Sequence, residues 1–405
     1  MAGGSSHIED SPLFPSADNR EDYRGRRTLT GPGSPIQLAA FRAHNGRYGS
    51  KEEVVDEIVE LLQIALLPGV APRVARALRD RGALSTTLAH PRDHQDLLPP
   101  ASISALERGH ARRRADDELR KAAASGVSLV GLGDPGYPAL LFETHDPPAV
   151  LYVLGALPGP SSPAVALVGS RKATPGGRAF ARALSRDLAA AGVVVVSGLA
   201  RGIDGEAHHG ALDARAATIA VLGSALDRVY PPEHGGLARD IAQKGGAVVS
   251  EFPFGTGPRP EHFPRRNRVI AGLSRAVVVV EAAERSGALS TARFALDEGR
   301  DVLAVPGHPT EPQAAGTNAL LRDGAALVRS ARDVAEALGL VMGVTTEVEP
   351  SGDDILDSLR PDRPTSLDEL VSLCGRPVGE LLSHLSVLEI HARVRRLPGP
   401  AFVRA

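Results

Sequence analysis

Scarcities frame this chain before any motif does. Its 405 residues contain one cysteine, Cys374, which excludes a disulfide framework and a cysteine-based metal centre and suits a reducing cytoplasm. Tryptophan is absent, and nine phenylalanines and five tyrosines are the only aromatics, so any base-stacking surface has few platforms. Charge of one sign is lacking too. A formal net charge of -2 and a pI near 6.7 exclude a protein that coats nucleic acid by bulk charge, so an anionic partner needs a local patch. No apolar run approaches the ~20 residues of a membrane helix, and no basic-then-apolar leader opens the sequence. We expect a soluble chain with no membrane partner and no cofactor. Lysine occurs only at Lys51, Lys121, Lys172 and Lys244, so the cations are overwhelmingly arginine, the side chain suited to bidentate phosphate contacts. For the surface positions, an alanine- and arginine-rich genome composition is the better account.

What is present divides into five stretches. Residues 1–50, rich in Gly, Ser, Pro and charge with no apolar period, read as a disordered tail. Residues 51–126 read as a helical domain. Val54, Val55, Ile58, Leu61, Leu62 and Ala65 recur at helical spacing, Leu67-Pro68-Gly69-Val70 makes a turn, and a second helix covers Ala71 to Arg81. That order is a helix-hairpin-helix pattern, in which amides at a helix start can hold a phosphate, or an ordinary helical hairpin. A basic helix from Ser102 to Ala124 closes it.

Residues 127–343 alternate strand and helix signals, the pattern of a parallel α/β sheet. Short strands at Val127 to Gly131 and Val150 to Gly155 extend the sheet formed by Ala164 to Val168, Val193 to Val196, Thr218 to Leu222, Ala247 to Ser250, Ala276 to Val280 and Asp301 to Val305. The turns after these strands are small, Gly169-Ser170-Arg171 and Ser197-Gly198 among them, and they share the edge where ligands of such sheets bind. Residues 344–364 read as a polar linker. Residues 365–405 give helix, helix and two short strands, a winged helix-turn-helix with Arg393, Arg395 and Arg396 on its wing. Its second helix carries few basic residues, which leaves DNA and protein both open as its target.

Familiar sites fail the test of spacing. The first turn lacks G-x-G-x-x-G, no G-x-x-x-x-G-K-[ST] occurs, and His208 and His209 are adjacent rather than placed as in H-E-x-x-H. Asp204, Glu206, His208 and Glu281 are the catalytic candidates, yet no nucleophile and base are paired. Arginines weigh the other way. In a helix starting at Pro264, Val269, Ile270 and Leu273 form the apolar side and Arg266 shares it, while Arg265 and Arg268 take another face. An inward arginine needs a carboxylate, Glu281 or Asp204, or a bound phosphate. Arg171 and Arg201, on neighbouring strand ends, can converge with this group, and Phe263 either stacks on a base or anchors the helix.

At this point the residues spell a known pattern. Gly169-Ser170-Arg171, Ser197-Gly198-Leu199-Ala200-Arg201-Gly202-Ile203-Asp204, Val221-Leu222-Gly223-Ser224 with Tyr230-Pro231, and Phe263-Pro264-Arg265-Arg266-Asn267-Arg268-Val269-Ile270-Ala271-Gly272-Leu273-Ser274 closely resemble the bacterial DNA-processing family called DprA or Smf. Ser286-Gly287-Ala288-Leu289-Ser290-Thr291-Ala292, Val305-Pro306-Gly307 and Gly316-Thr317-Asn318 extend the match. The resemblance implies a Rossmann-like domain flanked by a SAM-like helical module and a winged helix. It implies a non-enzymatic cytoplasmic protein that binds and protects single-stranded DNA in natural transformation, helps load the RecA recombinase, and forms a homodimer. By motif position Ser170, Arg171, Gly198, Arg201, Arg265, Asn267 and Arg268 are its DNA contacts, with Phe263 and Arg266 beside them. The competing reading is a nucleotide phosphoribohydrolase, whose P-G-G-x-G-T-x-x-E motif is absent here.

Overall fold

The computed structural model describes residues 51–159, 162–340, 353–359, 365–391, 393–397 and 401–404. The tail expected over residues 1–50 lies outside them. Two compact units are divided after residue 341.

The first unit opens with helices α1 (Lys51–Ala65), α2 (Pro72–Asp80), α3 (Leu84–Ala89), α4 (Pro100–Glu107) and α5 (His110–Ala124). The long basic helix expected from Ser102 is in fact two helices. Gly109 sits in the left-handed region at φ +65, which breaks the 3.6-residue repeat between α4 and α5. Strands β1 (Ser128–Gly131), β2 (Val150–Gly155), β3 (Ala164–Val168), β4 (Val194–Ser197), β5 (Thr218–Val221), β6 (Ala247–Ser250), β7 (Ala276–Val279), β8 (Asp301–Ala304) and β9 (Ala326–Leu327) form one sheet in the order 1-2-6-5-4-3-7-8-9. Helix α6 (Ala139–Phe142) lies between β1 and β2. Helices α7 (Pro175–Ala190), α8 (Ile203–Asp213), α9 (Gly235–Gln243), α10 (His262–Gly272), α11 (Gly287–Asp297) and α12 (Ala315–Arg322) connect the later strands, and α13 (Ala331–Ala337) ends the unit.

From β6 through β9 the strands run parallel, while β1 and β2 pair antiparallel and β2 joins β6 antiparallel. The valine-rich central strands are buried along their whole length because helices cover both faces, so no polar alternation survives in them. Chain order supplies the key feature. The chain builds β3, β4, β5 and β6 outward in one direction, then returns to place β7 on the other side of β3. The turns after β3 and β7 therefore diverge, which opens a crevice at the carboxyl ends of those two strands.

The N-terminal helices share one apolar core with the sheet: Leu61 and Leu62 of α1 are fully buried in the same cluster as Leu151 of β2 and Val277 of β7. The boundary expected at 126/127 thus runs through a single compact unit. The helix-hairpin-helix expectation also changes. The amide of Arg73, at the start of α2, donates to Asp146 Oδ1 at 2.6 Å, so a carboxylate already stands where a phosphate would bind.

The second unit is a winged helix: α14 (Asp354–Ser358), β10 (Thr365–Ser366), α15 (Leu367–Cys374), α16 (Val378–Ile390), β11 (Val394–Leu397) and β12 (Ala401–Arg404), with strand order 10-12-11. The expected linker 344–364 needs correction. Ile355 and Leu356 of α14 are fully buried in the core of this unit with Leu370, Leu381 and Phe402. Three nearby acids, Asp353, Asp354 and Asp357, masked that apolar pair in the sequence. Arg395 and Arg396 are exposed on β11, while α16 carries no lysine or arginine and exposes Val387 and Ile390.

One buried ionisable group makes the first unit sensitive to acid. His208 of α8 is fully buried, its Nδ1 lies 2.9 Å from Thr218 Oγ1, and that hydroxyl donates to Val195 O at 2.6 Å. The hydroxyl proton being committed, His208 Nδ1 must be the donor. Burial drives its pKa from 6.5 down to about 3. The unfolded chain takes up this proton first, so the contribution is complete above pH 6.5 and fades as pH falls toward 3. Between pH 7 and pH 5 the loss is about 2 kcal/mol. Urea unfolding of wild type and His208→Asn at both pH values checks this. The variant should lose that share of the pH dependence, and parallel pH curves for the two proteins would refute it.

Candidate nucleic-acid interface

The crevice between the β3 and β7 turns is a cleft of about 660 Å³. Ser170, Arg171 and Lys172 line it from the β3 turn, Phe263, Arg266 and Asn267 from α10, and Ser286, Ser290 and Thr291 from the start of α11. A smaller pocket adjoins it, bounded by Gly198, Arg201, Gly223 and Tyr230 and sharing Arg171, Phe263 and Arg266 with the larger one.

Arg266 organises both. The side chain points inward, as its helical spacing required, and the residue is 4% exposed. Its Nη1 donates to the carbonyls of Gly198 (2.5 Å), just after β4, and Val221 (2.6 Å), the last residue of β5, and its Nε donates to Asn267 Oδ1 at 3.1 Å. Neither expected carboxylate binds it directly. Asp204 instead receives the Gly198 amide on Oδ2 at 3.1 Å and supplies a compensating charge. Burial lowers the Arg266 pKa to about 10 against the opposing pull of Asp204, so the guanidinium remains charged at neutral pH. Burial likewise raises the pKa of Asp204, and Arg266 opposes that rise.

Residue choice around Arg266 follows from space. A Cβ on Gly198 would lie 2.4 Å from Arg266 Nη1, so only glycine lets the guanidinium reach the strand ends. A Cβ on Gly202, at φ +76, would meet the Ser170 carbonyl at 2.2 Å, so the β3 and β4 turns touch through backbone. Leu199 between them is fully buried with φ +56, a strained conformation for a branched side chain. Three bonds hold that turn: Arg266 on Gly198 O, the Gly198 amide on Asp204 Oδ2, and His234 Nδ1 2.8 Å from Leu199 O.

The other expected residues differ in what holds them. Arg171 is exposed, has no ion-pair partner among the described residues, and lies over the Phe263 ring with its guanidinium carbon 4.8 Å from the centroid. Phe263 is half-buried, 5.8 Å from the Tyr230 ring and against Gly223, so it anchors α10 and lines both pockets. Asn267 ties α10 to α11 through Nδ2, which donates to Ser290 Oγ at 2.8 Å. Ser170 Oγ accepts the Lys172 amide at 3.1 Å. Arg201 reaches Glu233 at 2.5 Å on the exposed rim.

Arg265 and Arg268 line neither pocket. They share a face, as expected, but that face meets Glu251, whose Oε2 accepts from Arg265 Nη2 at 2.9 Å and from Arg268 Nη2 at 2.5 Å. Arg268 also donates to the Asp146 carbonyl, and its side chain is 11% exposed. Arg265 remains half exposed beside Pro264 on the cleft lip. Sequence reasoning missed Glu251 and Asp146, which carry no spacing signal toward α10. It also passed over Lys172, whose signal was its place beside Arg171.

The catalytic candidates are committed elsewhere. Glu281 Oε1 accepts from Thr174 Oγ1 at 2.5 Å and Oε2 from the Thr174 amide at 2.9 Å, at the N-terminus of α7. Glu206 faces Arg182 at 3.8 Å. His208 is sealed in the core, and Asp204 is buried beneath the Gly198 amide.

Fold and site together define a doubly wound α/β protein with an open, arginine-edged cleft at its topological switch point, followed by a winged helix. Residues 128–339 match the family model for DNA recombination-mediator protein A, and residues 344–400 match the DprA winged helix domain. Protein Smf of Escherichia coli is 40% identical over 275 residues, covering 65% of this chain and 74% of that protein. DNA processing protein DprA of Bacillus subtilis is 40% identical over 214 residues, 53% of this chain and 72% of that one. The X-ray structure of DprA from Streptococcus pneumoniae superposes with a TM-score of 0.58 at 33% identity, over 68% of this chain and 95% of that chain. The chain belongs to the DprA/Smf family of DNA recombination-mediator proteins.

Removing Arg266 takes its hydrogen bonds from the Gly198 and Val221 carbonyls and its compensating charge from the buried Asp204. Arg266→Ala should therefore lower unfolding stability by about 3–5 kcal/mol, the range for breaking a buried charged contact. Arg265→Ala, on the half-exposed rim, should cost less than about 1 kcal/mol. Urea midpoints measure both, and equal losses would refute the distinction.

Proposed function

We propose that this chain binds single-stranded DNA in the α10 cleft and acts as a non-enzymatic recombination mediator. The observation that carries this reading is the exposed pair Arg171 and Lys172, without an ion-pair partner among the described residues, at a cleft also lined by the hydroxyls of Ser170, Ser286, Ser290 and Thr291, the Asn267 amide and the buried Asp204 and Arg266. Sugar-phosphate is recognised by such a surface, because the cations meet phosphates while small residues allow close backbone approach. Phe263, under Arg171, offers a ring edge to an unstacked base. Duplex DNA exposes no free base to it. The occupied states of Glu281, Glu206, His208 and Asp204 support binding over nucleotide hydrolysis. Family membership supports the rest of the proposal: protection of incoming strands in transformation, handover to RecA, homodimerisation, and a cytoplasmic setting. For the winged helix, the cation-free α16 with exposed Val387 and Ile390 favours a protein target.

Fluorescence anisotropy with a labelled oligothymidylate, at several salt concentrations, tests the binding reading. Log affinity should fall against log salt with a slope of about 0.7 per phosphate neutralised. Arg171→Ala and Lys172→Ala should each weaken binding and reduce the slope by about one phosphate's share. Arg268→Ala should leave the slope alone, since Glu251 and Asp146 already hold that side chain. Wild-type slope and affinity in both cleft variants would sink the site assignment, and turnover of nucleoside monophosphates would revive the enzyme reading.

A further inference from the structure

The helix that carries the cleft is braced from outside by two carboxylates that the cleft does not contain. Glu251, just beyond β6, has a side chain 3% exposed and gathers Arg265 and Arg268 on one oxygen. Its other oxygen, Oε1, is buried with no hydrogen-bond partner among the described residues. A half-satisfied carboxylate is costly, so it persists where the two arginines need it.

Asp146 carries the brace further. It lies on the turn Asp146-Pro147-Pro148, where two fixed proline φ angles stiffen the chain. Its carbonyl accepts from Arg268, its Oδ2 is 3.5 Å from Arg268 Nε, and its Oδ1 accepts the Arg73 amide at the start of α2. One turn along α2, Arg76 Nη1 donates to the carbonyls of Phe142 and Thr144 at 2.7 Å each. The segment before Asp146 is therefore clamped to the N-terminal hairpin on one side, and Asp146 itself to α10 on the other.

We propose that Asp146 is a positioning residue of the strand-binding site, through which the N-terminal helical hairpin sets the pose of α10 and of the Arg265 guanidinium. The proposal rests on the single-stranded DNA reading above. Asp146 lines neither pocket, so it touches no phosphate and its removal changes geometry without changing the count of neutralised phosphates.

The test uses the full chain and two readouts. Hydrogen exchange at residues 262–272, followed without DNA, should be faster in Asp146→Ala than in wild type. Affinity for the labelled oligothymidylate should fall about three- to tenfold, with the wild-type salt slope retained. Asp146→Asn, which keeps an acceptor for the Arg73 amide but no charge toward Arg268, should fall between the two. Unchanged exchange in α10 overturns the proposal, as does faster exchange with wild-type affinity, or a changed salt slope, which would mean that removing Asp146 alters how many phosphates the cations neutralise rather than only the pose of α10. If wild type itself binds no single strand, the functional reading fails, and the exchange experiment still decides whether Asp146 braces α10. A variant too unstable to assay is replaced by Arg76→Ala, which loosens the same segment from the hairpin side and carries the same expectations.

Discussion

A charged guanidinium buried against the ends of two parallel strands is the contact on which the rest of this structure depends. Arg266 closes the gap between the β4 and β5 carbonyls at a point where the sheet has no further strand residues to satisfy them. Its cost in desolvation is large, and Asp204 offsets it from beneath the Gly198 amide. Several features follow as consequences. Glycine at 198 leaves room, the left-handed Leu199 is tolerated because its neighbours are pinned, and Asn267 passes the constraint on to α11.

The three motif arginines thus do three different jobs. Arg266 is an internal strut, Arg268 is a bracket between Glu251 and Asp146, and Arg265 alone keeps a half-exposed guanidinium on the lip. Local charge at the cleft comes instead from Arg171 and Lys172, on the opposite wall. This division explains how a chain with net charge -2 can present a cationic cleft: acids hold Arg201, Arg265 and Arg268 still, while Arg171 and Lys172 have no ion-pair partner among the described residues.

Much of the fold was legible because its physical signals are local. Uninterrupted valine runs such as Ala276–Val279 declare strands covered on both faces, and every expected strand of the sheet is present. Helical spacing placed Arg266 on the same side as Val269 and Ile270, and all three are buried. Signals that depend on a competing local preference were misread. Gly109 broke a helix that periodicity had carried through, and the acids around Ile355 and Leu356 hid a buried turn inside an apparent linker.

The site was legible in outline and not in its pairing. Sequence alone determined the alternating α/β plan, the small turns at the strand ends, the family motifs and the inward direction of Arg266, since each rests on spacing within a few residues. Only the tertiary structure decided what Arg266 binds, that Glu251 and Asp146 claim Arg265 and Arg268, and that Glu281 serves the start of α7. Those contacts join residues 14 to 122 positions apart, and a charged side chain settles on whichever oxygen the folded chain brings within about 3 Å. Nothing in the local pattern specifies that oxygen, because its position is a property of the whole sheet.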